Sequence, residues 1–370
     1  MRAVGVIPGK KEVTLVEHPA PQLTQDTEVR IRCLEVGICG TDKEISSFVY
    51  GTPPPHSDYL ILGHESLGEV VEVGEAVRKV KPGDLVVPSV RRPCEHSECL
   101  PCRRGRQDFC VTGDFTERGI KMRHGYLTDV YVEAEEYLTQ VPAELREIGV
   151  LVEPLTVTEK ALSQIWHIQK RLPWIKSNDP SQPGQGLNAV VLGAGPVGLL
   201  AAMAMRLRGF SVWVYSRSAK PNPKAELIEA AGVTYVSSAQ ETPRVLAERV
   251  GRIDLIYEAA GIGELAFSVL EFLALNGILV LTGIPAPRPA VPFATESVAR
   301  QLVLKNQIVL GTVNADLRDF QNGVDDLGML RQRWPNEVRG LITGRYEMDA
   351  YRELLSGKSH GIKNVITITR

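Results

Sequence analysis

NAVVLGAGPVGLLAAMAMRLRGFSVWVYSR, residues 188–217, reads as strand, glycine turn, helix and strand. An apolar run, NAVVL, leads into Gly193-Ala194-Gly195-Pro196-Val197-Gly198, which opens an apolar helical stretch and then a second strand-like run. The glycine pattern alone is a weak signal. Set between a strand and a helix, it is the fingerprint of a dinucleotide-binding turn. Gly193 permits the tight turn, Gly195 lets the backbone approach a pyrophosphate, and Gly198 lets the helix pack closely on its strand. The helix N-terminus then offers free N–H groups and a partial positive charge to the phosphate. The bland alternative is a glycine-rich turn in some other α/β protein.

The end of the second strand bears on which dinucleotide is bound. Folds that prefer NAD usually carry Asp or Glu there, on the ribose hydroxyl. Here the segment is Tyr215-Ser216-Arg217-Ser218, without a carboxylate. Arg217 can pair with a 2′-phosphate in fork geometry, and the hydroxyls of Ser216 and Ser218 can donate to the same group. The pattern favours NADP and leaves NAD open. Against it stands the reading of Arg217 as a solvated surface arginine.

Outward from this stretch, RIDLIYEAA (252–260) and GILVLTGIP (277–285) are short apolar runs separated by helical segments. Alternation of strands and helices implies a doubly wound parallel sheet. Residues 1 to about 150 read differently. VRIRCLEVGIC (29–39), GEVVEVGEAV (68–77) and DLVVPSV (84–90) are strand-like and punctuated by Gly and Pro, which implies a β-rich domain. EPLTVTEKALSQIWHIQKRL (153–172) has helical spacing, and the polar, proline-bearing PWIKSNDPSQPGQGLN (173–188) marks a boundary. The expected division is an α/β chain with a β-rich domain over 1–186, completed by about 340–370, and a nucleotide-binding domain over 187–339. The last ~30 residues read as a helix and a final strand that return to the first domain.

With 370 residues, two domains are expected. A net charge of −2 offers no basic stripe for nucleic acid or an anionic membrane surface. No window approaches the ~18 apolar residues of a membrane span. The start, MRAVGVIPGKKEV, lacks a secretory apolar region, so the expected location is the cytoplasm.

Four of the six cysteines, Cys94, Cys99, Cys102 and Cys110, fall within 17 residues. Such clustering reads as a metal site, and four soft ligands on a turning loop suit structural zinc. His96 competes with Cys94 for the first position; Cys94 is preferred because it completes four thiolates. Cys33 reads as a small buried apolar residue. A second donor set is dispersed: Cys39 in GICGTD (37–42), His64 and Glu65 in GHE (63–65), and Glu153 in EPL (153–155). A catalytic zinc takes about three protein ligands and keeps a position open. Cys39, His64 and one or two of Glu65 and Glu153 would supply them, although spacing alone does not show that they converge.

GICGTDKEI (37–45), GHESLGEVVEVG (63–74), the cysteine lobe, LVEPLTVTEKAL (151–162) and VLGAGPVGLL (191–200) occur in the order seen in zinc-containing medium-chain dehydrogenases. The sequence resembles that superfamily over nearly its whole length. RRPC, CRRGRQDFC, VEPLTVTEKA and the Ser-Arg segment resemble most the archaeal-type glucose 1-dehydrogenase family. The resemblance implies a GroES-like catalytic domain, discontinuous in sequence, and a Rossmann domain. It implies that Cys39, His64, Glu65 and Glu153 surround a catalytic zinc and that Thr41 lies near the substrate oxygen. It also implies that Glu117 contacts the sugar and Asn314 lies near sugar and nicotinamide. Thr282-Gly283-Ile284 and Thr312-Val313-Asn314 match segments lining the nicotinamide. Two residues more than in the nearest pattern precede Cys99. Val157 and Leu304 stand where some members carry polar sugar contacts.

On this reading the chain holds two zinc ions and oxidises the C1 hydroxyl of glucose or a similar aldose, such as galactose, to the lactone. Thr41, with Glu65 or Glu153 and water, carries the proton away. Both domains are expected to close on one cleft, and relatives are usually dimers or tetramers. The nearest rival is a polyol, threonine or other secondary alcohol dehydrogenase. A second is a non-catalytic NADPH-binding protein, which need not retain Cys39, His64 and Glu153. A zinc-module nucleic-acid binder is disfavoured by the overall charge.

Overall fold

The computed structural model describes residues 1–172, 181–286, 289, 292–356 and 361–368. Its packing separates two compact units. One comprises Met1–Thr156, Asn314–Gly328 and Ile342–Arg370; the other comprises Val157–Val313 and Met329–Leu341. The helix Val152–Gln169 starts in the first and continues in the second. Of the composition break at 173–188, residues 173–180 lie outside the described residues.

The first unit is built on antiparallel pairing of Glu28–Ile38 with Glu65–Val73, which sets Gly37 opposite Glu65. The strand Glu28–Ile38 alternates between buried and less buried positions at its start and is buried throughout from Cys33 onward. Valine, isoleucine and leucine dominate these strands because β-branched and bulky side chains pack well on a pleated surface. The final strand, Lys363–Thr367, returns to pair with Glu28–Ile38, with Asn364 opposite Ile38. Val29, Ile31, Val36, Ile61, Val70 and Tyr126 lie in the unit's core, where each large apolar side chain contributes about 2 kcal/mol through burial. Cys33 is fully buried there, and burial pushes its thiol up to about 12.

In the second unit six strands lie in the order Thr234–Ser237, Ser211–Ser216, Asn188–Leu192, Ile253–Glu258, Leu273–Leu281, Ile308–Gly311. Every pairing is parallel. The chain order reverses beside Asn188–Leu192, and ligands of such sheets bind at the carboxyl ends of strands at this switch point. The helix Pro196–Leu207 is buried along most of its length, which explains why its sequence is apolar on nearly every face. No helix among the described residues is long and apolar enough to cross a membrane.

Candidate active site and metal centres

Cys39 directly follows the strand Glu28–Ile38 and caps the helix Gly40–Ser46. Its sulfur accepts from the Thr41 N–H at 3.2 Å, and its own N–H donates to Asp42 Oδ2 at 3.0 Å. This reciprocal cap fixes the thiol's direction. His64 precedes the neighbouring strand and brings Nε2 to 3.2 Å from Cys39 Sγ. On its other side, His64 Nδ1 faces Asp42 Oδ1 at 3.5 Å. Asp42 is fully buried and also accepts from the Gly63 N–H at 3.3 Å.

Glu65 forms an ion pair with Lys363, and the Lys363 ammonium also donates to the Ile38 carbonyl at 3.2 Å. Gly37 makes this possible. A Cβ there would stand 2.0 Å from Glu65 Oε2 and 2.7 Å from Lys363 Cε. The donor atoms of Cys39, His64 and Glu65 all lie within 4.8 Å of one another. Tetrahedral zinc with ordinary bond lengths sets sulfur and nitrogen ligands about 3.5 Å apart, so the thiol–imidazole spacing fits a divalent metal. Glu153 lies outside this mutually close group, yet His64 and Glu65 act on its charge.

The electrostatics follow from burial and proximity. Burial pushes the Glu153 carboxyl up to about 7, with Glu65 adding to the rise and His64 and Lys363 opposing it. Burial disfavours the His64 imidazolium, but Cys39 and Asp42 outweigh it and hold the ring well above the usual histidine range. Burial likewise opposes charge on Asp42 and Lys363. For Asp42 the His64 ring prevails and lowers the carboxyl; for Lys363 the Glu65 carboxylate prevails and raises the ammonium.

The four lobe sulfurs, Cys94, Cys99, Cys102 and Cys110, also lie mutually within 4.8 Å. Cys99 and Cys110 are 3.9 Å apart, close to the roughly 3.8 Å edge of a zinc tetrathiolate and far beyond a disulfide bond. His96 turns to Asp114, at 2.6 Å, and is not part of the sulfur group. The lobe is framed by the strands Arg91–Arg92 and Thr116–Arg118.

Glu117 and Asn314 meet directly: Asn314 Nδ2 donates to Glu117 Oε1 at 2.9 Å. Thr41 is half-buried at the start of its short helix.

In the second unit, Gly193 follows its strand with φ +105°, and a Cβ on Gly198 would stand 2.2 Å from the Gly193 carbonyl oxygen. Gly195 caps the helix that Pro196 begins. Ser216 ends the next strand, and Arg217 and Ser218 are exposed beyond it. The Thr282 hydroxyl donates to the Glu258 carbonyl at 2.7 Å, while Ile284 is exposed. The Thr312 hydroxyl accepts from Gln164 at 2.7 Å, and the Val313 carbonyl accepts from Lys160 at 2.8 Å.

Sequence reasoning missed Asp42, Lys363 and Glu258. Asp42 had a signal, the three-residue spacing of a helix cap after Cys39. Glu258 accepts from the N–H groups of Ala260 and Ile262 at 2.7 and 3.2 Å and so shapes the loop after its strand. Lys363 had no local signal.

Residues 25–143 match the family described as alcohol dehydrogenase GroES-like domain, and residues 146–368 match that described as glucose dehydrogenase C-terminus. A glucose 1-dehydrogenase of Methanocella arvoryzae is 39% identical over 100% of this chain and 99% of its own length. One from Thermoproteus tenax is also 39% identical, with the same coverage. The structure is similar to Haloferax mediterranei glucose dehydrogenase in complex with NADP, Zn and gluconolactone, with a TM-score of 0.88, 29% identity and full coverage of both chains.

Proposed function

The chain belongs to the glucose 1-dehydrogenase family of zinc-containing, NAD(P)-dependent medium-chain dehydrogenases, and we propose that it oxidises the C1 hydroxyl of an aldose to the lactone. Glucose or a close relative such as galactose is the substrate, and NADP is the preferred hydride acceptor. The convergence of Cys39, His64 and Glu65 carries this reading.

These three residues, with Glu153 close by, would hold the catalytic zinc, and the four lobe cysteines would hold a second. Zinc held there would supply a Lewis acid for the substrate hydroxyl, and a bound nicotinamide would supply the hydride acceptor. Asp42 orients His64, as carboxylates commonly do behind ligating histidines. Lys363 neutralises Glu65. Thr41, with Glu65 or Glu153 and water, carries the hydroxyl proton away. C1 thus loses one hydride and one proton is released, which leaves the lactone carbonyl. Glu117 and Asn314 receive the sugar's other hydroxyls.

On the nucleotide, the turn 193–198 and the helix it opens hold the pyrophosphate. Ser216, Arg217 and Ser218 take the 2′-phosphate, and Thr282-Gly283-Ile284 with Thr312-Val313 line the nicotinamide.

The test is reduction of NADP and NAD with glucose, galactose, xylose and sorbitol, followed by absorbance of the reduced cofactor. Turnover with an aldose is expected. If only sorbitol or other open-chain alcohols react, the chain is a polyol or secondary alcohol dehydrogenase instead.

A further inference from the structure

Six residues outside the proposed zinc ligands close a polar circuit within the first unit. Glu117 Oε1 accepts from Arg91 Nε at 3.0 Å and from Asn314 Nδ2 at 2.9 Å, with Arg91 Nη2 also at 3.0 Å. Arg91 Nη1 donates to the Asp108 carbonyl at 3.2 Å, and its guanidinium lies 3.6 Å from the centre of the Phe115 ring. The Asp108 carboxylate accepts from Arg106 Nε and Nη2 at 3.0 and 2.9 Å. Arg106 Nε also lies 2.9 Å from Asp316 Oδ2. Asp316 Oδ1 accepts from the N–H groups of Arg318 and Asp319 and so caps the helix Leu317–Arg333. Two residues before Asp316 is Asn314, where the circuit began.

Asp108 and Arg106 both belong to the cysteine lobe. Each half of the Glu117–Asn314 contact is therefore tied back to that lobe, one through Arg91 and the other through Asp316. All three donor atoms on Glu117 reach Oε1, so among the described residues Oε2 is the oxygen without a protein donor. Asn314 itself sits at φ +62°, in the left-handed region that asparagine adopts more readily than other non-glycine residues.

We propose that Arg91, Asp108 and Arg106 act as positioning residues through which the cysteine lobe sets selectivity for polyhydroxylated substrates over simple alcohols. They pin one oxygen of Glu117 and the backbone beside Asn314, and so aim Glu117 Oε2 as a fixed acceptor for a sugar hydroxyl. A fixed acceptor costs the substrate no ordering of protein side chains on binding. A simple alcohol has no hydroxyl to use it. This inference rests on the aldose reading above.

The test uses the full chain loaded with zinc and NADP and the best aldose of the substrate panel. The proteins compared are the wild type, Arg106→Gln, Arg106→Lys, Asp316→Asn and the Arg106→Gln/Asp316→Asn double variant. Asn is itself a good helix cap, so Asp316→Asn removes the ion pair and keeps the cap. Arg106→Gln takes the guanidinium from two buried carboxylates, Asp108 and Asp316, so a lower Tm is expected for that variant; kinetics and binding are therefore read well below its unfolding range, with zinc content checked alongside.

Arg106→Gln and Asp316→Asn are each expected to raise the aldose KM about tenfold, with kcat held within about twofold and the KM for NADP unmoved. Calorimetry of aldose binding to the NADPH complex should show the same loss. Selectivity against benzyl alcohol, as a ratio of kcat/KM, falls in parallel. Arg106→Lys recovers part of the loss, and the double variant is no worse than either single one. An unchanged aldose KM and dissociation constant in both single variants overturns the proposal. So does a loss shared equally by aldose and NADP. If the wild type oxidises no aldose, the aldose reading falls and this inference with it; normal wild-type turnover with indifferent variants sinks only the positioning role.

Discussion

Glu65 and Lys363 are paired inside the protein with side chains only 3% and 1% exposed, and the space they share exists because residue 37 is glycine. Their strands both flank Glu28–Ile38, so sheet register rather than chain proximity brings them together. In the zinc-free protein, removing Lys363 strands a buried carboxylate. Lys363→Met is therefore expected to cost about 3–5 kcal/mol of stability by urea unfolding at pH 7. Glu65→Gln made together with Lys363→Met should recover part of that loss, since the uncompensated charge is then gone. A single variant as stable as wild type would show that Glu65 finds another counter-charge.

The two donor groups should respond differently to loss of a sulfur. Cys39→Ser is expected to lower kcat at least about a hundredfold while thermal unfolding stays close to wild type. Metal analysis should then show one zinc fewer per chain. Cys102→Ser should instead lower Tm first, because a structural metal contributes folding energy directly. If both substitutions leave the zinc content unchanged, neither donor group holds metal.

The parts of this molecule that can be read from its sequence are those written locally. The strand, glycine turn and helix at 188–207 occupy consecutive residues, and their spacing alone sets the parallel sheet. The lobe cysteines are likewise confined to 17 residues, and their sulfurs meet in the structure. The group Cys39, His64 and Glu65 is different. Its closure depends on Gly37 pairing with Glu65 across two strands, a register that no spacing rule contains. Resemblance to known dehydrogenases, rather than residue chemistry, joined those segments. Lys363 stayed hidden because nearly 300 residues separate it from Glu65, and a lone lysine at a strand start reads as a surface residue.

Arg217 should decide cofactor preference. It is exposed just beyond the strand Ser211–Ser216, where an NAD-specific fold would carry a carboxylate. Charge-assisted hydrogen bonds contribute about 1.5–3 kcal/mol, so Arg217→Ala is expected to raise the KM for NADP roughly tenfold to a hundredfold. The KM for NAD should change by less than about twofold, because NAD lacks the 2′-phosphate. Steady-state kinetics with each cofactor at saturating aldose makes the comparison. Equal effects on the two cofactors would make Arg217 a general surface residue.

Glu133 gives the first unit an acid limit. It is 1% exposed and bonded to Arg92 and Arg118 at 2.5 and 2.8 Å. Burial alone would raise its carboxyl, but Arg118 and then Arg92 outweigh it and hold it at about 2. A carboxyl depressed on folding contributes stability that is fully present above its unfolded value, near 4.5, and that fades as pH falls toward about 2. The drop of about 2.5 pH units corresponds to stabilisation on the order of 3 kcal/mol at neutral pH. Glu133→Gln mimics the protonated form. Its stability deficit should be constant from pH 7 down to about 5 and shrink between about 4.5 and 2. Urea unfolding of both proteins across that range checks it. A deficit that does not narrow on acidification would mean that packing, not charge, holds the Arg92–Glu133–Arg118 cluster together.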